Sequence, residues 1–135
     1  MGVVLALDPG ERRTGMAISD ASQMLATPLA THDRERDGSL LDRIAALCQE
    51  RNVERILVGH ALTAHGTVST SARRGEVLAA KLRARTGLAV QLVDERFSSA
   101  EADRLLRGSG RPKGDRDAIA AALILQQWLE SERGA

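Results

Sequence analysis

Hydrophobic and polar positions alternate with two different periods along this chain, and the change of period marks its elements. Residues 3–7 are a continuous apolar run rich in β-branched side chains, the pattern of a strand buried on both faces. Asp8-Pro9-Gly10 breaks the run, and residues 15–20 read as a returning strand, so the two predict a hairpin with a wide loop. A third strand is expected over residues 24–32, where Pro28 marks an edge position or a bulge. Ser39 then caps an amphipathic helix with Leu40, Leu41, Ile44, Leu47 and Cys48 on its apolar face. Residues 55–59 form a fourth strand, residues from about 71 to 86 a second helix ended by Gly87, and residues 88–93 a fifth strand. A capping box, Ser98-Ser-Ala-Glu101, opens a helix to Leu106; a Gly- and Arg-rich loop spans residues 108–114, and residues 115–130 form the closing helix. Three strands in a meander followed by α, β, α, β, α, α predict an α/β fold: a five-stranded mixed sheet with helices on both faces.

Composition narrows the setting. The 135 residues suit a single domain spanning 1–135 with one core, and 43% hydrophobic with 27% charged residues is an ordinary globular balance. No apolar run approaches the ~20 residues of a membrane span and no secretory leader opens the chain, so no membrane partner is expected. The lone Cys48 excludes a disulfide framework and a cysteine zinc cluster, and fits a reducing cytoplasm. The net charge of +1 does not by itself point to nucleic acid. Of the 19 basic residues, however, all but Lys81 and Lys113 are arginine, whose planar fork matches phosphate oxygens; genomic base composition explains such a bias equally well. Phe97 and Trp128 stand without a tyrosine, so base-stacking platforms are missing and any nucleic acid must be read through backbone shape and charge.

Three acids are candidates for chemistry. Asp8 ends the most buried strand, where a charge must be paired or bound to metal, or else serve as an Asx-turn into Pro9-Gly10. Glu95 follows the fifth strand beside Asp94; alternation sends the two to opposite faces, so one of them reaches a site, unless both simply end the strand with an ion pair to Arg96. Asp117 heads the closing helix on the stripe of Ala120, Ala121, Ile124 and Trp128, an inward position that a helix-dipole role alone explains poorly. Acids delivered to one edge of one sheet would form an oxygen-lined site for Mg2+ or Mn2+, and two such ions about 4 Å apart can drive an in-line displacement at phosphorus.

Taken together, Asp8-Pro-Gly10-Glu-Arg-Arg13-Thr-Gly15, Asp94-Glu-Arg96 and Asp117-Ala-Ile-Ala-Ala121-Ala-Leu-Ile-Leu125-Gln resemble the YqgF family, also called RuvX. These are Holliday-junction resolvase-like proteins, also described as proposed pre-16S rRNA nucleases, and the resemblance runs from about Val3 to Leu129. It implies a ribonuclease H-like domain and a metal-dependent endonuclease, with Asp8, Glu95 and Asp117 as catalytic metal ligands holding two Mg2+ or Mn2+ ions. Arg13 and Arg96 match basic positions of the same motifs and would hold phosphate oxygens. The implied partner is branched DNA, cut by a homodimer, or precursor rRNA, which needs no two-fold symmetry.

Elsewhere the chain departs from the family pattern. After the fourth strand the family has Gly-Leu-Pro and then Asp-Gly, where this chain has Gly59-His-Ala-Leu-Thr-Ala-His65-Gly66, and serines replace threonines at Ser98 and Ser99. His60 and His65 read as polar loop residues. Arg111 and Lys113 precede Asp117 closely enough to clamp substrate beside the metal site. Arg73, Arg74, Arg83 and Arg85 read as an exposed helix face first and a binding surface second. A second function class is a non-catalytic nucleic-acid-binding scaffold of the same fold, against which the retained acids argue. A third, a small ATPase or sugar-kinase relative, would need two such domains around its nucleotide.

Overall fold

The computed structural model describes residues 2–60, 70–94 and 116–134. The expected helix over 98–106 and the loop over 108–114 lie outside them.

The apolar run and its return form the predicted hairpin. Strands β1 (Val3–Pro9) and β2 (Arg13–Ser19) pair antiparallel, with Leu5 opposite Ile18 and Asp8 opposite Gly15. The expected third strand is two short ones, β3 (Ala26–Pro28) and β4 (His32–Asp33), both antiparallel to β2. Ala17 lies opposite Pro28 and Thr14 opposite His32, so three residues on one side face two on the other. That extra residue is a bulge beside the proline, whose missing N–H cannot continue the ladder.

Beyond β4 the chain makes a single helical turn that the sequence pattern did not suggest, α1 (Arg34–Asp37), capped by the Asp33 carboxylate, which accepts from the Glu35 and Arg36 N–H groups. Ser39 caps α2 (Leu40–Arg51) as expected, accepting from the Asp42 N–H, and Asn52 ends it in the left-handed conformation. Strand β5 (Val53–His60) then runs parallel to β1, helix α3 (Thr70–Thr86) crosses over, and β6 (Ala89–Asp94) lies parallel to β5. The last described element is α4 (Arg116–Gly134).

The described strands make one six-stranded mixed sheet, ordered β3-β2-β1-β5-β6 with β4 continuing the β3 edge of β2. Its two faces carry different cores. Leu5, Leu7, Met16, Ile18, Ile56 and Val58 face α2 and α3, through Ile44, Cys48, Leu78 and Leu82. Val4, Ala6, Ala17 and Leu57 face α4, through Ala121, Leu125 and Leu129. Alanines on both partners at this second interface let the helix axis approach the sheet. Its far end is fixed by polar bonds: Gln126 Oε1 accepts from the Ala26 N–H at 2.9 Å, and Arg133 donates to the Gln23 carbonyl at 2.9 Å. No described helix is long and apolar enough to cross a membrane.

Candidate active site

The end of the sheet where β1 stops and β2 begins is shaped by a tight turn. The Gly10 N–H donates to the Arg13 carbonyl at 2.9 Å, which closes the hairpin. From outside, the Arg12 guanidinium binds Asp33 at 3.0 Å and reaches Glu35 at 3.5 Å, while the Arg34 N–H donates to the Arg12 carbonyl. Asp33 therefore caps α1 and braces the turn with the same carboxylate. Its bond to Arg12 foremost, and the two α1 amides, hold its pKa below the ordinary value. This brace was missed in the sequence, although an aspartate directly before a short charged segment is a capping signal.

Asp8 and Asp117 meet through a glycine. Gly15 lies opposite Asp8 across the hairpin, so the two share a face of the sheet. A Cβ on Gly15 would stand 1.9 Å from the Asp117 carbonyl oxygen and 2.8 Å from the Ala118 nitrogen, so the first turn of α4 rests directly on the glycine. Asp117 heads the stripe that continues through Ala121, Leu125 and Leu129 at four-residue intervals. This stripe refines the expected one: Trp128 sits at its margin, half-buried beneath Arg55, whose guanidinium carbon is 5.8 Å from the ring centroid. Asp8, half-buried, thus stands one strand away, about 5 Å, from the glycine that seats Asp117.

Arg13 opens β2 on the same side. Its Nε lies 3.8 Å from Asp117 Oδ2, a long ion pair with Arg13 57% and Asp117 25% exposed. Such a pair contributes about 0–1 kcal/mol and leaves the guanidinium fork available to an incoming anion. Gly10, Glu11, Arg12, Arg13, Asp33 and Asp117 line an open groove of about 470 Å3 above the hairpin turn.

Strand β5 lies between this group and Asp94, which ends β6. Asp94 lies opposite His60, and His60 points to the α3 side, where its Nε2 is 3.1 Å from Glu76 Oε1. Val93 packs with the α4-facing core instead. Asp94 therefore faces away from Asp8 and Asp117, and His60 is engaged on the far face. Glu95, Arg96, Arg111, Lys113 and His65 lie outside the described residues. Among the described residues no three His, Cys, Asp or Glu side chains gather as a metal-ligand set. Two carboxylates on one face at a sheet end do fit a hard divalent cation, which takes few protein oxygens and completes its shell with water and phosphate.

Comparison with known proteins adds independent weight. The family model described as RuvX, Holliday junction resolvase, matches residues 2–131. A protein of Thermosynechococcus vestitus is 40% identical over 132 residues, covering 95% of this chain and 87% of that protein. A Bordetella petrii protein is 42% identical over 128 residues, 95% of each chain. Both are named for a proposed pre-16S rRNA nuclease activity. Among solved structures, Thermus thermophilus RuvC in complex with a Holliday junction substrate superposes with a TM-score of 0.63 at 17% identity, covering 100% of this chain and 98% of that one. Fowlpox virus resolvase bound to Holliday junction DNA gives 0.56 at 10% identity, over 96% and 98%. These likenesses establish the fold as the ribonuclease H-like one of the RuvC resolvases.

Proposed function

Because this chain belongs to the RuvX family, we propose that it is a divalent-metal-dependent endonuclease hydrolysing phosphodiester bonds in structured nucleic acid. In this reading Asp8, Glu95 and Asp117 are the metal ligands. The observation that carries it is the seat of α4 on Gly15, which sets Asp117 beside Asp8 on one face of the sheet. Alternation along β6 supports Glu95 over Asp94 as the third acid, since Val93 faces α4 and Asp94 does not. A pair of Mg2+ or Mn2+ ions held there would supply an activated water and charge stabilisation for the leaving oxygen.

The chain's own groups have distinct tasks. Asp8, half-buried, offers its carboxylate from a strand end that cannot move without disturbing the central sheet. Asp117 is fixed by the helix rather than by a loop. Arg13, open to solvent and only loosely held by Asp117, can turn its fork to a phosphate oxygen and orient the scissile group. Arg96, Arg111 and Lys113 would extend that phosphate contact on either side. The Arg12–Asp33 pair ties the turn to the residue that caps α1, at the wall of the groove.

The substrate is a four-way DNA junction, cut by a homodimer in the cytoplasm, or the 16S rRNA precursor, as the relatives' names suggest. The test is cleavage by purified protein with Mg2+ or Mn2+, offering a four-way junction and a precursor rRNA fragment beside Asp8→Asn and EDTA controls. Symmetric nicks lost in both controls establish a resolvase, and cutting of RNA alone establishes rRNA maturation. Cutting of neither would sink the nuclease reading and favour the non-catalytic scaffold.

A further inference from the structure

The β1–β2 turn has a second groove on its other side. Gly10, Glu11 and Arg12 wall both this groove and the one above Asp117, so the two meet across the turn. The second, about 350 Å3, lies between the turn, the segment around α1 and helix α3. Three cations stand along it: Arg34 from α1, and Arg74 and Lys81 from α3. None of the three side chains makes a hydrogen bond or ion pair among the described residues. The opposing charge is Glu11, while the fourth cation, Arg12, is already engaged by Asp33.

Helix α3 shows that this is a selection rather than a generally basic face. Arg83 is spent on structure, donating to the Val90 carbonyl at 2.8 Å, and Arg85 binds Asp42 at 2.8 Å. Arg74 and Lys81, two turns apart, instead rim the groove with exposed Val77 between them. Beneath lies His32, 1% exposed, whose Nε2–H donates to the Gly38 carbonyl at 2.9 Å and so ties down the segment carrying Arg34. Its Nδ1 is buried without a hydrogen-bond partner among the described residues.

We propose that this groove is a second nucleic-acid subsite, in which Arg34, Arg74 and Lys81 hold the phosphate backbone of the strand flanking the cleavage point. The proposal rests on the nuclease reading above and extends it across the hairpin turn. Charge complementarity selects the occupant: three cations without an ion pair among the described residues, around a partly apolar groove, suit a phosphate backbone. A chain with so few aromatics must hold a strand in this way rather than by stacking.

The test is binding in EDTA to a labelled four-way DNA junction and to a labelled precursor 16S rRNA fragment, from about 50 to about 200 mM KCl. The variant Arg34→Gln/Arg74→Gln/Lys81→Gln is compared with wild type and with Arg43→Gln/Arg51→Gln/Arg73→Gln, which removes three cations from other surfaces. Loss of three phosphate contacts should weaken binding of the preferred probe by about 10- to 100-fold near 0.1 M salt and reduce the log–log salt slope by about 2–3. The displaced-charge variant should lose far less. Unchanged affinity and slope in the groove variant would overturn the subsite and leave the nuclease reading standing. Equal losses in the two triple variants would overturn it too, by reducing the effect to net charge. If wild type binds neither probe, the subsite falls, and cleavage with Mg2+ or Mn2+ decides the nuclease reading separately. Should the triple variant not fold, Lys81→Gln alone, at an exposed position, should lower the slope by about 1.

Discussion

At the scale of single residues, Asp8 is an acid whose loss should show in activity rather than in folding. Asp8→Asn keeps the size and shape of the side chain, so the variant should remain folded while cleavage falls about 100-fold or more, as losing several kcal/mol of transition-state stabilisation requires. A variant that loses activity only because it has unfolded would contradict this, and a melting curve beside the cleavage assay separates the outcomes. Asp20 is an acid of the other kind. Its carboxylate accepts from the Ser22 hydroxyl and from the Leu25 and Met24 amides, which pull its pKa from 3.8 to about 2. A depressed folded-state pKa stabilises the fold above the unfolded value, and that stabilisation disappears as pH falls from about 4 towards about 2. Asp20→Asn should therefore melt lower than wild type at neutral pH, with the two curves converging by about pH 2. A constant gap across that range would rule out the linkage.

At the scale of elements, the periodicities that locate β1, β2, α2, β5 and β6 are strong because each turns apolar side chains into a core, and these elements stand where the pattern puts them. The third strand and α1 were not legible as they are. A bulge is a matter of counting residues against a partner strand, and Pro28 could signal it without saying where pairing resumes at His32. Helix α1 has four residues and buries none of them, so no apolar period announces it. The contact that matters most for the site, α4 on Gly15, is likewise hidden: the glycine follows the turn in sequence, and only the packed helix reveals why it has no side chain. Gly15→Ala should force the Asp117 peptide outwards, because the new Cβ would overlap its carbonyl oxygen. Overpacking of this kind costs about 1–3 kcal/mol. The expected signature is a lowered denaturation midpoint together with reduced cleavage, because the same shift displaces an acid from its partner. Loss of stability with full retention of cleavage would show that the seat does not position Asp117.

At the scale of the whole molecule, the sheet divides labour between its faces. One face is a plain hydrophobic core under α2 and α3, and the other carries the acids at its open end under α4. The sequence alone could nominate Asp8 and Asp117, since a charge at the mouth of an apolar run and a charge on an inward helix stripe both violate the local pattern. It could not bring them together, because their meeting depends on an antiparallel register and a helix packing about a hundred residues away. Nor could it sort the arginines, which differ by partner rather than by position. If the acids do form one cation site, that site is assembled only in the folded chain, so binding must stabilise the fold by linkage. At about 100 times the dissociation constant, Mg2+ or Mn2+ should add about 2.7 kcal/mol, read as a rise in the thermal midpoint that EDTA reverses. The same titration on Asp8→Asn should give little or no rise, and Asp94→Asn, on the opposite face, should respond as wild type does. A full response in Asp8→Asn would place the cation elsewhere on the molecule.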